Sequence, residues 1–432
     1  MPEEAERAHA LFDQGRYAEA AAGYESALAR HPTPALWVNA GYSRLMLDEH
    51  QPAAQAFERA LQLQPGFVPA LIGLGDVAAR RNAHAEAVRH YDTALAAGGA
   101  PPEPAPTAQG ARGTQETQRA QAAQWAIARN NRAQSLHALG RLAEAWADAE
   151  WRYRAPGAEA LYPHRLALPR WRGEALAGRL LVHWEQGFGD IIQHLRFLPL
   201  LQGRADFAFE CPPPLLRLAR RRLPAECLIE AQGAAPVGDF AAYVPLASLP
   251  HVLGLSLKTL PRAPYLGGQP TPAIAAQLQR GAGAAPDRRV GVVWRASAFD
   301  LQRNATLEDF APLARSGMRL VSLQKDAGAG ESAALAALGA VDAAPGLADF
   351  AATADWLAAL DAVVSVDTSV AHLAGAMGKP TCLLLSEPAA VRWMLDRSDS
   401  PWYPAMRVLR KQTGEPWTGM IAAAGRFLAD MG

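Results

Sequence analysis

The sequence predicts an α + α/β chain: an N-terminal helical solenoid of repeats, then two parallel α/β lobes. Three observations lead there. Aromatic, alanine and proline positions recur in register through the first third of the chain. After Pro156, short β-rich runs alternate with helical runs. Two of the strand-to-helix turns carry polar residue sets that a plain turn does not need.

Composition sets the outer bounds. At 432 residues the chain exceeds one ordinary domain, so two or three are expected. Half the residues are apolar and 19% are charged, which suits sizeable cores. Lys plus Arg and Asp plus Glu both number 42. A formal net charge of zero gives no support for bulk attraction to nucleic acid or membrane. The start, MPEEAERAH, lacks a basic-then-apolar leader pattern. No apolar run reaches the roughly 18 residues of a membrane span. Its richest region, 356–385, is broken by Asp361, Asp367, His372 and Lys379. Cys211, Cys227 and Cys382 are too scattered for a disulfide framework or a metal knuckle. A cytoplasmic protein is the expectation.

Ala20, Tyr24, Ala27 and Pro32 close a first unit; Ala53, Phe57, Ala60 and Pro65 close a second. Ala87, Tyr91 and Ala94 close a third, and Trp37 with Gly41 is echoed by Leu71 with Gly75. Small residues let paired helices approach, and the aromatic fills the gap. This resembles the tetratricopeptide repeat of about 34 residues. A weaker fourth unit shows Ala133, Leu136 and Ala145. The stretch 98–118, rich in Pro, Gly, Ala and Thr, reads as a mobile insertion. The repeat region is taken as 1–155 and a linker as 156–177. Such stacks commonly hold a protein or peptide partner. A stabilising cap or a homodimer surface is the plainer role.

Strands are expected at Leu180–Trp184, Phe207–Glu210, Cys227–Glu230, Val290–Trp294, Leu320–Leu323, Ala362–Val366 and Cys382–Leu385. Helices are expected near 190–202, 214–222, 272–280, 307–315, 331–338, 350–360 and 369–377. The alternation implies βαβ units. It divides into a first lobe at 178–268, a connection at 269–285 and a second lobe at 286–432. Ligands of such folds lie at the carboxyl ends of the strands, and two facing lobes make a cleft.

Gly187-Phe188-Gly189-Asp190 follows the first strand. Glycine permits positive φ and removes side chains, so something is expected to come close to the chain here. Asp190 reads either as a helix N-cap or as a general base at the strand end. Ile192 stands where the full dinucleotide pattern needs glycine. In the second lobe, Asp367 ends a buried strand. Thr368 and Ser369 open the next helix and His372 lies one turn inside it. Free N–H groups and the positive helix end favour an anion there, with His372 a further donor. The alternative is a well-capped core helix with a packed histidine. Trp294 ends another strand, followed by Arg295 and Arg303 in a polar loop, and Gln324 with Lys325 follows a third strand. Cations at strand ends can neutralise phosphates, although solvated surface charge is their common fate.

Residues 178–432 resemble bacterial glycosyltransferases of the two-lobed GT-B type, on the heptosyltransferase (family nine) side. The resemblance is carried by EQGFGDIIQHLRFLPLL, VGVVWRAS, RLVSLQK, DFAATADWLAALDAVVSVDTSVAHLAGAMGKPT and RWMLDRSDSPWYP. Repeats joined to such lobes are similar to bacterial architectures implicated in protein O-glycosylation, flagellin modification included. The plan is also similar to that of the O-GlcNAc transferases. The resemblance implies Asp190 as general base, and a donor site at Asp367, Thr368, Ser369 and His372. Gly187 and Gly189 would admit the substrates. Arg295 and Arg303 stand where the family has a lysine, and the first lobe is short for the fold.

The implied reaction uses a nucleotide-sugar donor as substrate and no cofactor. Asp190 would take the proton of an acceptor hydroxyl, inverting the anomeric centre. No D-x-D occurs in the chain, so transfer without metal is expected. The partner would be a polypeptide acceptor held by the repeats. A competing reading is a non-catalytic scaffold with a degenerate transferase region. Lipopolysaccharide core transfer would leave the repeats without a role.

Overall fold

The computed structural model describes residues 3–100, 112–155, 157, 168–231, 238–279, 288–296 and 303–430. The chain forms two compact units. One is Met1–His164 with Ala390–Leu395, and the other is Arg165–Ala389 with Asp396–Gly432.

The first unit is built of helices α1 (Glu3–Asp13), α2 (Tyr17–Arg30), α3 (Pro34–Leu45), α4 (His50–Leu63), α5 (Val68–Arg80), α6 (His84–Ala97), α7 (Arg112–Ala138) and α8 (Leu142–Ala149). Each packs on the next in sequence. The recurring residues explain why. Ala20, Ala53 and Ala87 are fully buried, as are Tyr24, Phe57 and Tyr91. Phe57 lies against the backbone of Gly41 and Gly73, where an added Cβ would come within 2.6 and 2.4 Å of its ring. Tyr91 uses Gly75 the same way, at 2.4 Å. Thr33 caps α3 by accepting from the Leu36 N–H, with Pro34 in the first turn. The insertion expected at 98–118 is shorter than that. Residues 101–111 lie outside the described residues, but α7 already starts at Arg112. The weak fourth unit is the pair α7 and α8, with Ala133, Leu136 and Ala145 buried. The segment Ala390–Leu395 joins this unit, the Leu395 N–H donating to the Ala138 carbonyl at 2.9 Å.

The second unit holds two all-parallel sheets. The first contains β1 (Leu180–His183), β2 (Phe207–Cys211), β3 (Leu228–Glu230) and β4 (Ala242–Pro245) in the order β3-β2-β1-β4. The second contains β5 (Arg289–Val293), β6 (Arg319–Ser322), β7 (Val341–Asp342), β8 (Ala362–Val366), β9 (Thr381–Ser386) and β10 (Met406–Lys411) in the order β10-β9-β8-β5-β6-β7. Every residue of β2, β8 and β9 is buried, as strands covered on both faces require. The intervening helices are α9 (Phe188–His194), α10 (Pro213–Ala219), α11 (Leu249–Val252), α12 (Pro272–Gln279), α13 (Ala311–Arg315), α14 (Ala329–Ala337), α15 (Phe350–Ala358), α16 (Ser369–Ala376) and α17 (Trp417–Asp430). Strand order reverses between β1 and β4, and again between β5 and β8. These switch points are where parallel sheets open a crevice.

Five elements were not anticipated: β4, β7, β10, α11 and α17. The three strands lie at sheet edges: β10 is only partly buried and includes two arginines, β7 has two residues, and β4 has four and ends in proline. The expected linker 156–177 also loses its last part. Residues 156 and 158–167 lie outside the described residues, but Arg170 bridges Tyr243 beside β4. The Trp171 N–H donates to the Tyr243 carbonyl at 2.8 Å and its side chain is buried. The first lobe therefore begins before residue 178. In the 269–285 connection, α12 is present, and 280–287 are outside the described residues. Among the described residues, no helix is long and apolar enough to cross a membrane.

Asp76 centres a polar network within the repeat unit. The Asp76 carboxylate on α5 accepts from the hydroxyls of Tyr42 (3.0 Å) and Tyr91 (2.7 Å) and from Asn131 Nδ2 (2.8 Å). Burial raises its pKa and the three donors only partly oppose this. Its folded-state value thus exceeds the unfolded one. Its contribution to stability is full below the ordinary carboxylate range and declines as pH rises through the raised value. Asp76→Ala strands three donors and should lower stability by about 1–3 kcal/mol in denaturant titrations. Asp76→Asn should gain relative to wild type as pH rises through that window; a constant difference would refute the assignment.

Candidate active site

β1 is followed by Gln186, which takes φ of 67°, and then by Gly187 as N-cap of α9. Neither glycine of the turn has positive φ; the strained position is Gln186. Gly187 has no cramped neighbour, since an added Cβ would lie 3.5 Å from Asp190 Oδ2. Gly189 differs: a Cβ there would lie 2.9 Å from His372 Cδ2 and 3.6 Å from the Ser369 Cα. What comes close to the chain at Gly189 is the other lobe. Asp190 is not the N-cap. It stands at the third helical position and accepts from the Gly187 N–H through Oδ2 at 3.3 Å, half-buried at the lobe boundary.

On the facing side, Thr368 caps α16, its Oγ1 accepting from the Ala371 N–H and lying 3.0 Å from Ser365 Oγ. Ser369 opens the helix. A helix start leaves backbone N–H groups outside the helical ladder, and its dipole favours negative charge. Asp367 is buried directly after β8, with Arg303 Nη1 3.5 Å from Oδ2 and His372 Nε2 3.8 Å from Oδ1. The expectation that His372 would point at a bound phosphate needs correction. The residue is 2% exposed, lies under Gly189, and its Nδ1 is 2.9 Å from the Tyr403 hydroxyl. The packed-histidine alternative describes its place.

Two further expectations are corrected. Trp294 is a core residue, its Nε1 donating to Glu331 Oε1 at 2.6 Å. Gln324 is also buried, accepting from the Arg295 N–H (3.1 Å) and donating to Asp326 (2.6 Å), so it ties two strand ends together. Arg295 binds Glu331 Oε1 at 2.8 Å and the Asp326 carbonyl at 2.7 Å. Burial works against ionisation of Glu331, but the Gly328 N–H, Trp294 and Arg295 hold its carboxyl below the ordinary value. Lys325 is exposed, 3.5 Å from the Ala348 carbonyl. Of the loop cations, Arg303 is the one placed at Asp367.

One group was missed altogether. Arg196, just after α9, is a buried guanidinium. It donates to the carbonyls of Gln193 (2.8 Å), Pro261 (3.1 Å) and Trp402 (2.7 Å) and to the Tyr265 hydroxyl (3.1 Å). The rings of Tyr265 and Tyr403 surround it at 4.8 Å, and Trp402 at 5.5 Å. Its signal was present in the QHLRF and PWYP stretches, but nothing local joins them. Further out, Arg221 on the first lobe makes a bidentate pair with Asp355 on α15 (2.7 and 2.9 Å), and Arg217 pairs with Asp349. A cavity of about 300 Å³ opens beside the turn, with Trp184, Phe188, Glu210 and Pro212–Pro214 in its lining. Burial pushes the Cys211 and Cys382 thiols up to about 12, so neither is a ready nucleophile at neutral pH.

With this geometry in place, comparison with known proteins is informative. Residues 6–67 and 53–104 match the tetratricopeptide repeat family. Residues 316–415 match glycosyltransferase family 9 (heptosyltransferase). The repeat match thus covers the first unit's helices and the family 9 match part of the second sheet's region. The matched span includes Gln324, Lys325 and Asp367–His372; Asp190, Arg295 and Arg303 fall outside it. Protein FlbA of Caulobacter vibrioides is 27% identical over 97% of this chain and 72% of its own length. Among solved structures, E. coli ADP-heptose LPS heptosyltransferase II shares 16% identity over 59% of this chain and 97% of its own, with a TM-score of 0.40. An O-GlcNAc transferase mutant of Thermobaculum terrenum shares 16% over 99% of this chain and 90% of its own, with a TM-score of 0.33.

The two glycines of the turn after β1 should respond differently to a methyl group. Gly189→Ala forces the hydrogen-bonded His372 ring to move and should cost about 1–3 kcal/mol in thermal unfolding. Gly187→Ala, with φ of −80°, should stay close to wild type. Equal effects would mean that α9 and α16 do not meet as described.

Proposed function

We propose that the chain transfers a sugar from a nucleotide-sugar donor to a serine or threonine hydroxyl of a polypeptide held by the repeats. The observation that carries this reading is the Gly189–His372 contact. It brings the turn that carries Asp190 against the first turn of α16. The diphosphate, or the monophosphate of a CMP-linked sugar, would lie at Thr368 and Ser369, with Arg303 offsetting its charge. The acceptor oxygen attacks the anomeric carbon as the bond to the nucleotide phosphate breaks. Asp190 takes the hydroxyl proton, and the leaving phosphate keeps the electron pair. Donors aimed at that phosphate favour the transition state over the ground state, because charge builds there as the bond breaks. One displacement inverts the anomeric centre, and the side chains supply the charge without a metal. His372 acts from behind, setting Asp367 and the seat of α9. The family 9 match supports glycosyl transfer, and the repeat match supports a protein partner.

Thermal-shift measurements against UDP-, GDP-, ADP- and CMP-linked sugars, without added metal, test the donor site. One nucleotide class should raise the melting temperature. No shift with any of them would favour the scaffold reading. Asp190→Asn keeps an acceptor for the Gly187 N–H, so the donor-induced shift should persist while transfer falls by roughly 10²–10⁴-fold. Transfer that survives the substitution would remove Asp190 as the base.

A further inference from the structure

The cavity beside Asp190 has a chemistry of its own. It opens at the carboxyl ends of β1 and β2, and Gly187, whose N–H binds the Asp190 carboxylate, is part of its wall. Its occupant would therefore sit next to the candidate base. Trp184 and Phe188 supply ring faces. Pro212, Pro213 and Pro214 supply three consecutive rings without a single N–H to donate. Phe188 stands at the rim, 39% exposed, with its ring 5.2 Å from Phe350 on the second lobe. The titratable lining group is Glu210, a buried carboxylate hydrogen-bonded to His183 Nδ1. Among the described residues the lining holds no Lys or Arg, and its other polar side chain is the amide of Gln186.

We infer that this cavity is the acceptor subsite of the reaction proposed above, and that it selects polypeptides carrying an apolar side chain within a residue or two of the acceptor hydroxyl. The inference rests on that proposal and adds the acceptor's chemistry. A phosphorylated or acidic glycan needs cations or clustered N–H donors. Here it would meet a carboxylate and a wall of prolines. A neutral sugar needs several polar partners to fix its hydroxyls, and this lining is mostly rings. An apolar side chain needs only to leave water, and Trp184, Phe188 and the prolines offer it a dry slot. Glu210 then accepts from a peptide N–H or a basic neighbour. An acidic neighbour would be excluded by charge.

The test is direct binding, without donor, to the full chain. Fluorescence polarisation would compare a labelled short peptide bearing one threonine flanked by valine or phenylalanine with its twin flanked by aspartate. The apolar peptide should bind roughly tenfold tighter or more. That gap should collapse in Trp184→Ala. The variant must keep the wild-type melting temperature; if it does not, Phe188→Ala at the exposed rim serves instead. Equal affinity for the twins, or a gap that survives in the folded variant, overturns the inference. It is also overturned if a phosphorylated oligosaccharide displaces the peptide and its binding is what the variant loses. Failure of transfer with every nucleotide sugar would instead count against the proposed reaction, because the binding readout involves no donor.

Discussion

The approach of Gly189 to His372 is the contact on which the candidate site depends. Two helices from different sheets can cross this closely because one of them presents no side chain. A Cβ at 189 would collide with an imidazole that has no slack, because Tyr403 holds its far nitrogen. Tyr403 is in turn packed on the guanidinium of Arg196, two residues beyond the end of α9. The constraint thus runs in a ring: turn, histidine, tyrosine, arginine and back to the helix that follows the turn. Asp190 inherits its place from that ring.

Arg196 is costly to bury, and among the described residues no carboxylate pairs with it. An unpaired interior charge is penalised by several kcal/mol. Three backbone carbonyls, a phenol and three aromatic faces supply the compensation. Burial pushes the phenols of Tyr265 and Tyr403 above their ordinary value, so both remain donors. The arginine–aspartate pairs on the outer side are different in kind. Arg217–Asp349 is largely exposed and worth little on its own. Arg221–Asp355 is better placed. Burial opposes the Asp355 charge, yet Arg221 and the Gln269 N–H hold its carboxyl below the ordinary value.

One packing device serves both units. A glycine on one helix faces a ring from another element: Gly41 and Gly73 on Phe57, Gly75 on Tyr91, Gly375 on Tyr403, and Gly189 on His372. In the repeats it recurs at the period of the helix pair, so each unit docks on the next by the same shape. In the α/β lobes it occurs where a ring must be held still beside polar groups. Close packing tolerates neither extra atoms nor voids, which makes these glycines informative.

The sequence by itself determined the repeat register, because each unit solves the same local packing problem and so repeats the same residues. It also determined the central strands β1, β2, β5, β6, β8 and β9. Strands covered on both faces must be apolar throughout, and that shows as an unbroken run. Asp367, Thr368 and Ser369 were legible because a strand end and a helix cap are neighbours in the chain. The edge strands β7 and β10 were not legible, since neither is an unbroken buried run. Only the tertiary structure decided that Trp294 and Gln324 serve the scaffold, that Asp190 stands inside its helix, and that His372 is a wall of the site. Arg196 and Trp402 meet across 206 positions. Contacts at that separation are set by how two sheets dock, and docking leaves no period in the sequence to read.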